Sequence, residues 1–162
     1  MTDSDKVTNV VIAGLGGQGV LKASDILADA AFRAGFDVKK SEIHGMSQRG
    51  GSVASDVRFG RGVLSPMVPT GEADFLVVLK EDQIDAVRHV LRSDGVLISA
   101  NMIDENALAN RKSLNVALLG VLSTHLPISA ADWGAAVNDA LPPRLHEVNS
   151  EAFELGRNAG RP

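Results

Sequence analysis

Six residues near the start of the chain restrict what it can fold into more than any others. Gly14-Leu15-Gly16-Gly17-Gln18-Gly19 satisfies the G-x-G-x-x-G pattern and stands directly behind an apolar run of strand type, Val10-Val11-Ile12-Ala13. Beyond it, Val20, Ala23, Leu27, Ala30, Ala31 and Ala34 recur at helical spacing, and Gly35 falls where such a helix would end. Strand, glycine-rich turn and helix in that order open a doubly wound α/β unit. The first glycine permits a tight turn, the second lets a ligand or a backbone come close, and the third lets the helix lie against the strand. The free N–H groups at the helix start favour an anion such as a phosphate. Two readings of the turn stay open on the motif itself. It cradles a nucleotide or coenzyme phosphate, or it is a tight strand-to-helix connection with no ligand.

The rest of the chain continues the alternation of strand and helix. A second strand is expected around Phe36 to Glu42. From Ser52 to Phe59 the pattern has period two, with Ser55, Val57 and Phe59 on the face of Val53 and the charged Asp56 and Arg58 on the other. That pattern predicts a half-exposed, antiparallel or edge strand. Ser65-Pro66 and Thr70-Gly71-Glu72 are turn signals ahead of a buried strand, Phe75 to Leu79. A helix with Ile84, Val87 and Leu91 inward should follow, then an Asp94-Gly95 turn into a strand from Val96 to Ser99. Helices are predicted from Leu114 to Thr124 and from Ala130 to Leu141. The second carries Trp133, Ala136, Val137, Ala140 and Leu141 on one face, and Pro142-Pro143 stops it. Met1 to Lys6 are polar and expected to fray. The result is one Rossmann-like, doubly wound domain over residues 1–162, its sheet mainly parallel with an antiparallel or edge strand.

Composition removes several function classes. The 16 Lys and Arg against 20 Asp and Glu give a net charge of -4, which argues against a nucleic-acid partner. No charged leader precedes an apolar run, and no apolar stretch reaches about 18 residues, so a cytoplasmic protein without a membrane partner is expected. With no cysteine, the chain has no thiolate for a disulfide, a nucleophile or an iron–sulfur cluster. Its four histidines, at 44, 89, 125 and 146, are scattered, and no metal site is expected.

A dinucleotide site needs an acid about 20 residues beyond the last glycine, for the ribose hydroxyls. Lys39 stands there, with Asp37 early and Glu42 late. NAD is therefore poorly served, while Lys39 or Lys40 leaves NADP open through its 2′-phosphate. A second unusual stretch follows at once, His44-Gly45-Met46-Ser47-Gln48-Arg49-Gly50-Gly51-Ser52. Its glycines favour close backbone approach, and Arg49 between small neighbours suits bidentate grip of a carboxylate, a phosphate or a partner's acidic group. Met46 reads as a gap-filling contact. His44 with Ser47 or Ser52 has the residue types of a base and a nucleophile, but such pairs are more often loop hydrogen-bonders, and no catalytic residue is assigned. The candidate binding residues are Gly14, Gly16, Gly17, Gln18, Gly19, His44, Ser47, Gln48, Arg49, Gly50, Gly51 and Ser52.

The two motifs in this order carry a family resemblance. With Glu42, Val53, Val57-Arg58-Phe59-Gly60, Ser65-Pro66 and Gly71-Glu72-Ala73-Asp74, they resemble the gamma-type domain of 2-oxoacid:ferredoxin oxidoreductases, the pyruvate/ketoisovalerate type. Asn115-Val116-Ala117-Leu118-Leu119-Gly120 and the spacing of Asn149, Ala152, Phe153 and Gly156 extend the match over nearly the whole chain. The form of the second motif is most similar to that of the beta (small) subunit in members acting on indolepyruvate. The resemblance implies a small subunit, inactive alone, serving assembly and coenzyme binding, with CoA a candidate at the interface. It implies a large partner carrying thiamine diphosphate and [4Fe-4S] clusters, which converts an arylpyruvate and CoA to acyl-CoA and CO2 while reducing ferredoxin. A heterodimer or heterotetramer is expected. Asn101 to Arg111 is shorter than the family pattern, in which a further strand and helix precede the Asn115 helix. A stand-alone NAD(P)-binding protein and a non-catalytic assembly module are the alternatives.

Overall fold

The structure is a computed structural model that describes residues 5–44 and 51–162. Its centre is a five-stranded sheet of β1 (Thr8–Leu15), β2 (Asp37–His44), β3 (Ser52–Gly60), β4 (Ala73–Val78) and β5 (Leu91–Ser99), in the spatial order β2-β3-β1-β4-β5. β1 pairs parallel with β4 and β4 with β5, whereas β3 runs antiparallel to both β1 and β2. Four strands thus point one way and β3 alone is reversed, which bears out the mainly parallel, doubly wound sheet. β3 is not an edge, however. It lies inside, and β2 and β5 are the edges.

One face of the sheet is covered by two layers of helix. α1 (Val20–Arg33) packs on β1, β2 and β3, and α3 (Leu114–Ser123) packs beside it towards β4 and β5. Outside these lie α4 (Ala130–Ala140) against α1 and α5 (His146–Gly160) against α3. β1 is a continuous apolar run because it is buried on both sides. Val10 and Ile12 meet the helices, while Val11 belongs to a smaller core on the opposite face. That second face has only a thin cover, the four-residue α2 (Ile84–Val87) with flanking 3-10 turns. Ile84, Val87, Val90 and Leu91 pack there on Leu76 and Val78.

The predicted helix through Leu91 is therefore cut short. Its apolar spacing suits a one-turn path over the sheet as well as a regular helix, and Leu91 already begins β5. Asp94 and Gly95 lie inside β5, at an irregularity where the register jumps between Ala73 and Phe75. Gly95 serves close approach there, since a Cβ would stand 2.9 Å from the Ala73 carbonyl.

Local chemistry explains the helix ends. α1 closes with Phe36 N–H donating to the Ala31 carbonyl and Gly35 N–H to that of Phe32, with Gly35 at φ +95°. This is the Schellman arrangement that the glycine anticipated. α4 begins at Ser129, whose hydroxyl accepts the Asp132 N–H at 3.1 Å. α5 is not among the elements predicted from the sequence. Its buried face is Asn149, Ala152, Phe153 and Gly156, too small and polar to register as an apolar stripe. Those small residues let it approach α3, all ten residues of which are buried. A Cβ on Gly156 would overlap the Ala117 carbonyl, and one on Gly120 that of Phe153.

The segment between β3 and β4 crosses the second face of the sheet and is fastened by side chains beneath it. Asp37 Oδ2 accepts the Val63 N–H at 2.8 Å, Asp56 Oδ2 accepts the Val68 N–H at 2.9 Å, and Arg58 Nη1 donates to the Ser65 carbonyl at 2.8 Å. Asp56, expected on an exposed face, is thus covered, and burial pushes its carboxyl above the ordinary range against the pull of the Val68 N–H and Arg58. At the amino ends of the strands, Asp74 Oδ2 accepts the Asn9 N–H at 2.8 Å, and its carboxylate also meets Arg92 at 2.8 Å and Lys6 at 3.5 Å. Lys6 thus has an ion-pair partner at the start of the sheet. Gly71 takes φ +78° in the turn that Glu72 N–H closes on the Pro69 carbonyl. The Gly71–Asp74 motif is therefore accounted for by structure.

Packing and charge can each be tested by substitution. Gly156→Ala should cost about 3 kcal/mol, whereas Gly134→Ala, at an exposed position in α4 with open space around it, should gain about 0.5–1 kcal/mol. Urea titration read by the one tryptophan, buried Trp133, measures both. The Val63 N–H, aided by Lys39, holds the Asp37 carboxyl below its ordinary value despite desolvation. Its contribution is therefore complete above the unfolded value near 3.8 and lost as pH falls through the lower folded value. Asp37→Ala should lower Tm at neutral pH, with the gap to the natural protein closing on acidification through that range.

Candidate functional site

The chain leaves β1 towards β2 on one side and β4 towards β5 on the other. The gap beyond the carboxyl ends of β1 and β4 is thus the topological switch point, where open α/β sheets hold ligands. A cavity of about 450 Å³ opens on the β3 side of the glycine-rich turn, lined by Gly16, Gly17, Val20 and Val53, and two more open on the β4 side. The larger, about 530 Å³, is lined by Gln18, Leu79, Lys80, Asn101, Glu105 and Leu114, with Glu81 and Asp82 at its wall. The smaller, about 310 Å³, is bounded by Gly17, Gln18, Gly19, Arg111 and Lys112. In the first, the carboxylates of Glu81, Asp82 and Glu105 outnumber Lys80. Arg111 and Lys112 are exposed in the second and have no carboxylate partner among the described residues. An anionic group is favoured in the smaller cavity and disfavoured in the larger.

The glycine-rich turn stands between them, and each member has a distinct part. Gly14, still in β1, is enclosed, since a Cβ there would press on Gln18 Oε1 at 2.8 Å and on Leu79 and Val20 at 3.1 Å. Gly17 and Gly19 take φ +86° and +84°, the left-handed region that suits glycine. A Cβ on Gly19 would also meet Asn115 Nδ2, which donates to the Gly19 carbonyl at 3.2 Å. Gly16 has ordinary φ and is exposed. Gln18 acts as a stitch: its Oε1 accepts the Leu15 N–H at 2.7 Å and its Nε2 donates to the Leu79 carbonyl at 3.4 Å. α1 has no acidic residue in its first turn, so its positive end faces the cavities without a carboxylate of its own.

The two sequence motifs meet here. Gly16 N–H donates to the Gly51 carbonyl at 3.0 Å, and Leu15 lies opposite Ser52 in the β1–β3 ladder. His44 closes β2 opposite Val53, while Ser47, Gln48, Arg49 and Gly50 lie outside the described residues. Ser52 Oγ donates to Gln83 Oε1 at 2.8 Å, on the turn beyond β4.

The arrangement differs from a dinucleotide site. β3 intervenes between β1 and β2, so the end of β2 stands two strand spacings from β1, about 9–10 Å rather than about 4.8 Å. Asp37 is at the opposite end of β2 and holds the Val63 N–H, and Lys39 lies 3.6 Å from it. Lys40 is engaged by Asp25 of α1 and by Glu42. Desolvation works against its charge, but both carboxylates outweigh it and hold the ammonium above its ordinary value.

Lys80, Gln83, Asn101, Arg111 and Lys112 do not stand out in the sequence, because each sits in a connection without a motif. The Arg111-Lys112 pair directly ahead of α3 is the one signal that points to them. Asn115 stands out only as part of a family pattern, and its hold on Gly19 supplies its reason. Among the described residues, no three His, Cys, Asp or Glu gather to hold a metal ion, and no helix is long and apolar enough to cross a membrane.

A family model described as pyruvate ferredoxin/flavodoxin oxidoreductase matches residues 9–159. The chain is 51% identical over 197 residues to indolepyruvate oxidoreductase subunit IorB of Archaeoglobus fulgidus, covering 95% of this chain and 97% of that one. It is 34% identical over 198 residues to the subunit of the same name from Thermococcus kodakarensis, covering 96% and 97%. Since 96% of 162 residues is about 156, about 42 of those 198 positions have no counterpart in this chain. Residues 100–113, between β5 and α3, are three short 3-10 turns and their links. Among solved structures, the gamma subunit of a keto/oxoacid ferredoxin oxidoreductase from Geobacter sulfurreducens superposes with a TM-score of 0.81 at 24% identity, covering 96% of this chain and 97% of that one. A 2-oxoglutarate:ferredoxin oxidoreductase from Magnetococcus marinus, with 2-oxoglutarate, coenzyme A and succinyl-CoA bound, gives 0.77 at 20% identity, covering 96% of this chain and 31% of that one. These structural likenesses are of fold.

The backbone roles of the glycines are separable by substitution. Gly17→Ala should cost about 1 kcal/mol from φ alone, and Gly19→Ala more, because it adds the clash with Asn115. Gly16→Ala should leave Tm unchanged, because a Cβ there meets only the Gly51 carbonyl at 3.8 Å. Thermal melting of the three variants tests this ranking.

Proposed function

Because the chain belongs to the pyruvate ferredoxin/flavodoxin oxidoreductase family, we propose that it is the small subunit of a 2-oxoacid:ferredoxin oxidoreductase acting on an arylpyruvate such as indolepyruvate. The observation that carries this reading is the near end-to-end similarity to proteins named indolepyruvate oxidoreductase subunit IorB. In the proposed reaction the oxoacid loses its carboxyl group as CO2, the CoA thiol takes the acyl group, and the electron pair passes to ferredoxin.

Without cysteine this chain has no thiolate for an iron–sulfur cluster. Thiamine diphosphate and the clusters are assigned to a large partner subunit. The residues of this chain do fit an anionic coenzyme. Gly17 and Gly19 let backbone approach a phosphate, the start of α1 favours its charge, and Arg111 and Lys112 supply the cations. CoA, with its phosphates, is the coenzyme proposed for this cavity. Gln18 and Asn115 keep the turn in shape for it, and catalysis itself is left to the partner. The cytoplasm is the proposed compartment.

Reconstitution tests the reading. Chain and large subunit together should reduce ferredoxin in the presence of indolepyruvate and CoA, and the chain alone should not. Full activity of the large subunit alone would overturn the proposal. Micromolar NADH or NADPH binding by the lone chain would favour a stand-alone enzyme, and no oxoacid oxidation with the partner an assembly module.

A further inference from the structure

The turn beyond β4 belongs to both halves of the site. Lys80, Glu81 and Asp82 line the larger cavity, and Gln83 N–H closes the turn on the Lys80 carbonyl at 2.9 Å. Ile84, the next residue, is packed into the second core, so the turn has a fixed base. The Gln83 side chain is oriented from both ends. Its Nε2 donates to Asp82 Oδ1 at 3.2 Å, which leaves Oε1 to accept Ser52 Oγ at 2.8 Å. Ser52 follows Gly51, and the Gly51 carbonyl accepts the Gly16 N–H at 3.0 Å. Gln83 therefore holds Ser52, Ser52 fixes the carbonyl beside it, and that carbonyl holds the second glycine of the turn.

We infer that Gln83 is a positioning residue for the glycine-rich turn. It sets where Gly16 stands relative to Gly17, Gly19 and the cations Arg111 and Lys112, and so how tightly the assembled enzyme holds its anionic coenzyme. The inference rests on the proposed function in taking that coenzyme to be CoA. Without the Ser52 bond, the start of β3 is held by its ladder with β1 and β2 alone, and the turn must be ordered when the coenzyme arrives. Lost preorganisation weakens binding and leaves the chemical step unchanged. One solvent-exposed hydrogen bond limits the effect to about 3- to 10-fold at most.

In the reconstituted complex, Gln83→Ala and Ser52→Ala should each raise KM for CoA about 3- to 10-fold, with kcat and KM for indolepyruvate unchanged. The double variant should go no further, since both single variants remove the same contact. Ser52→Thr, which keeps the hydroxyl, should recover most of the CoA affinity lost in Ser52→Ala. Additive effects, or an equal change in kcat and both KM values, would overturn the inference. Amide exchange of the full chain, followed by NMR, tests the same role independently of activity. Gly16 N–H should lose protection in both alanine variants, and unchanged protection would refute the role of Gln83. If the natural complex oxidises no 2-oxoacid yet Gly16 responds to Gln83→Ala, the functional reading fails and the positioning stands.

Discussion

The close approach of α3 and α5 through Gly120 and Gly156 is the contact on which the rest of the molecule depends. α3 is buried along its whole length, with the sheet on one side, and needs a second surface to cover the other. Only helices without a Cβ at the crossing come near enough. The placement of α3 then sets the site. Asn115 in its first turn grips the Gly19 carbonyl, and Leu114 lines both cavities on the β4 side. A packing requirement in the outermost layer thus reaches the glycine-rich turn through two side chains.

The reversed strand β3 is the second constraint. By entering between β1 and β2 it removes the geometry that reads a ribose, and it brings the end of the second motif against the first. The carboxyl end of β1 is thereby shared by two glycine-bearing segments, while the cations come from the far side, ahead of α3. The excess of carboxylates in the larger cavity and the paired cations in the smaller give the two spaces opposite charge preferences.

Much of this is legible in the residues, and what is not has physical causes. β1, α1 and its Gly35 cap follow from run length, spacing and one glycine. The inward face of β3 follows from its alternation, but its position in the sheet does not, because period two is the same for an inner strand covered by the segment it leads into. Asp56 misleads for that reason. α5 escapes because the residues that let it pack closely are those that weaken a helical pattern, glycine above all. The site is half visible. Motifs point to Gly14 through Gly19 and to Gly51 and Ser52, whereas Gln83, Arg111 and Lys112 are united only by the return of distant connections to one end of the sheet.

The burial of α3 has a consequence for how the chain is made. Ala117, Gly120 and Val121 are covered only once α5, encoded later, has emerged from the ribosome. Until then the nascent chain carries a largely apolar helix with one side bare. Such a stretch invites chaperone capture and off-pathway association. The fold therefore closes after synthesis has passed its C-terminal helix rather than growing strand by strand from its first one.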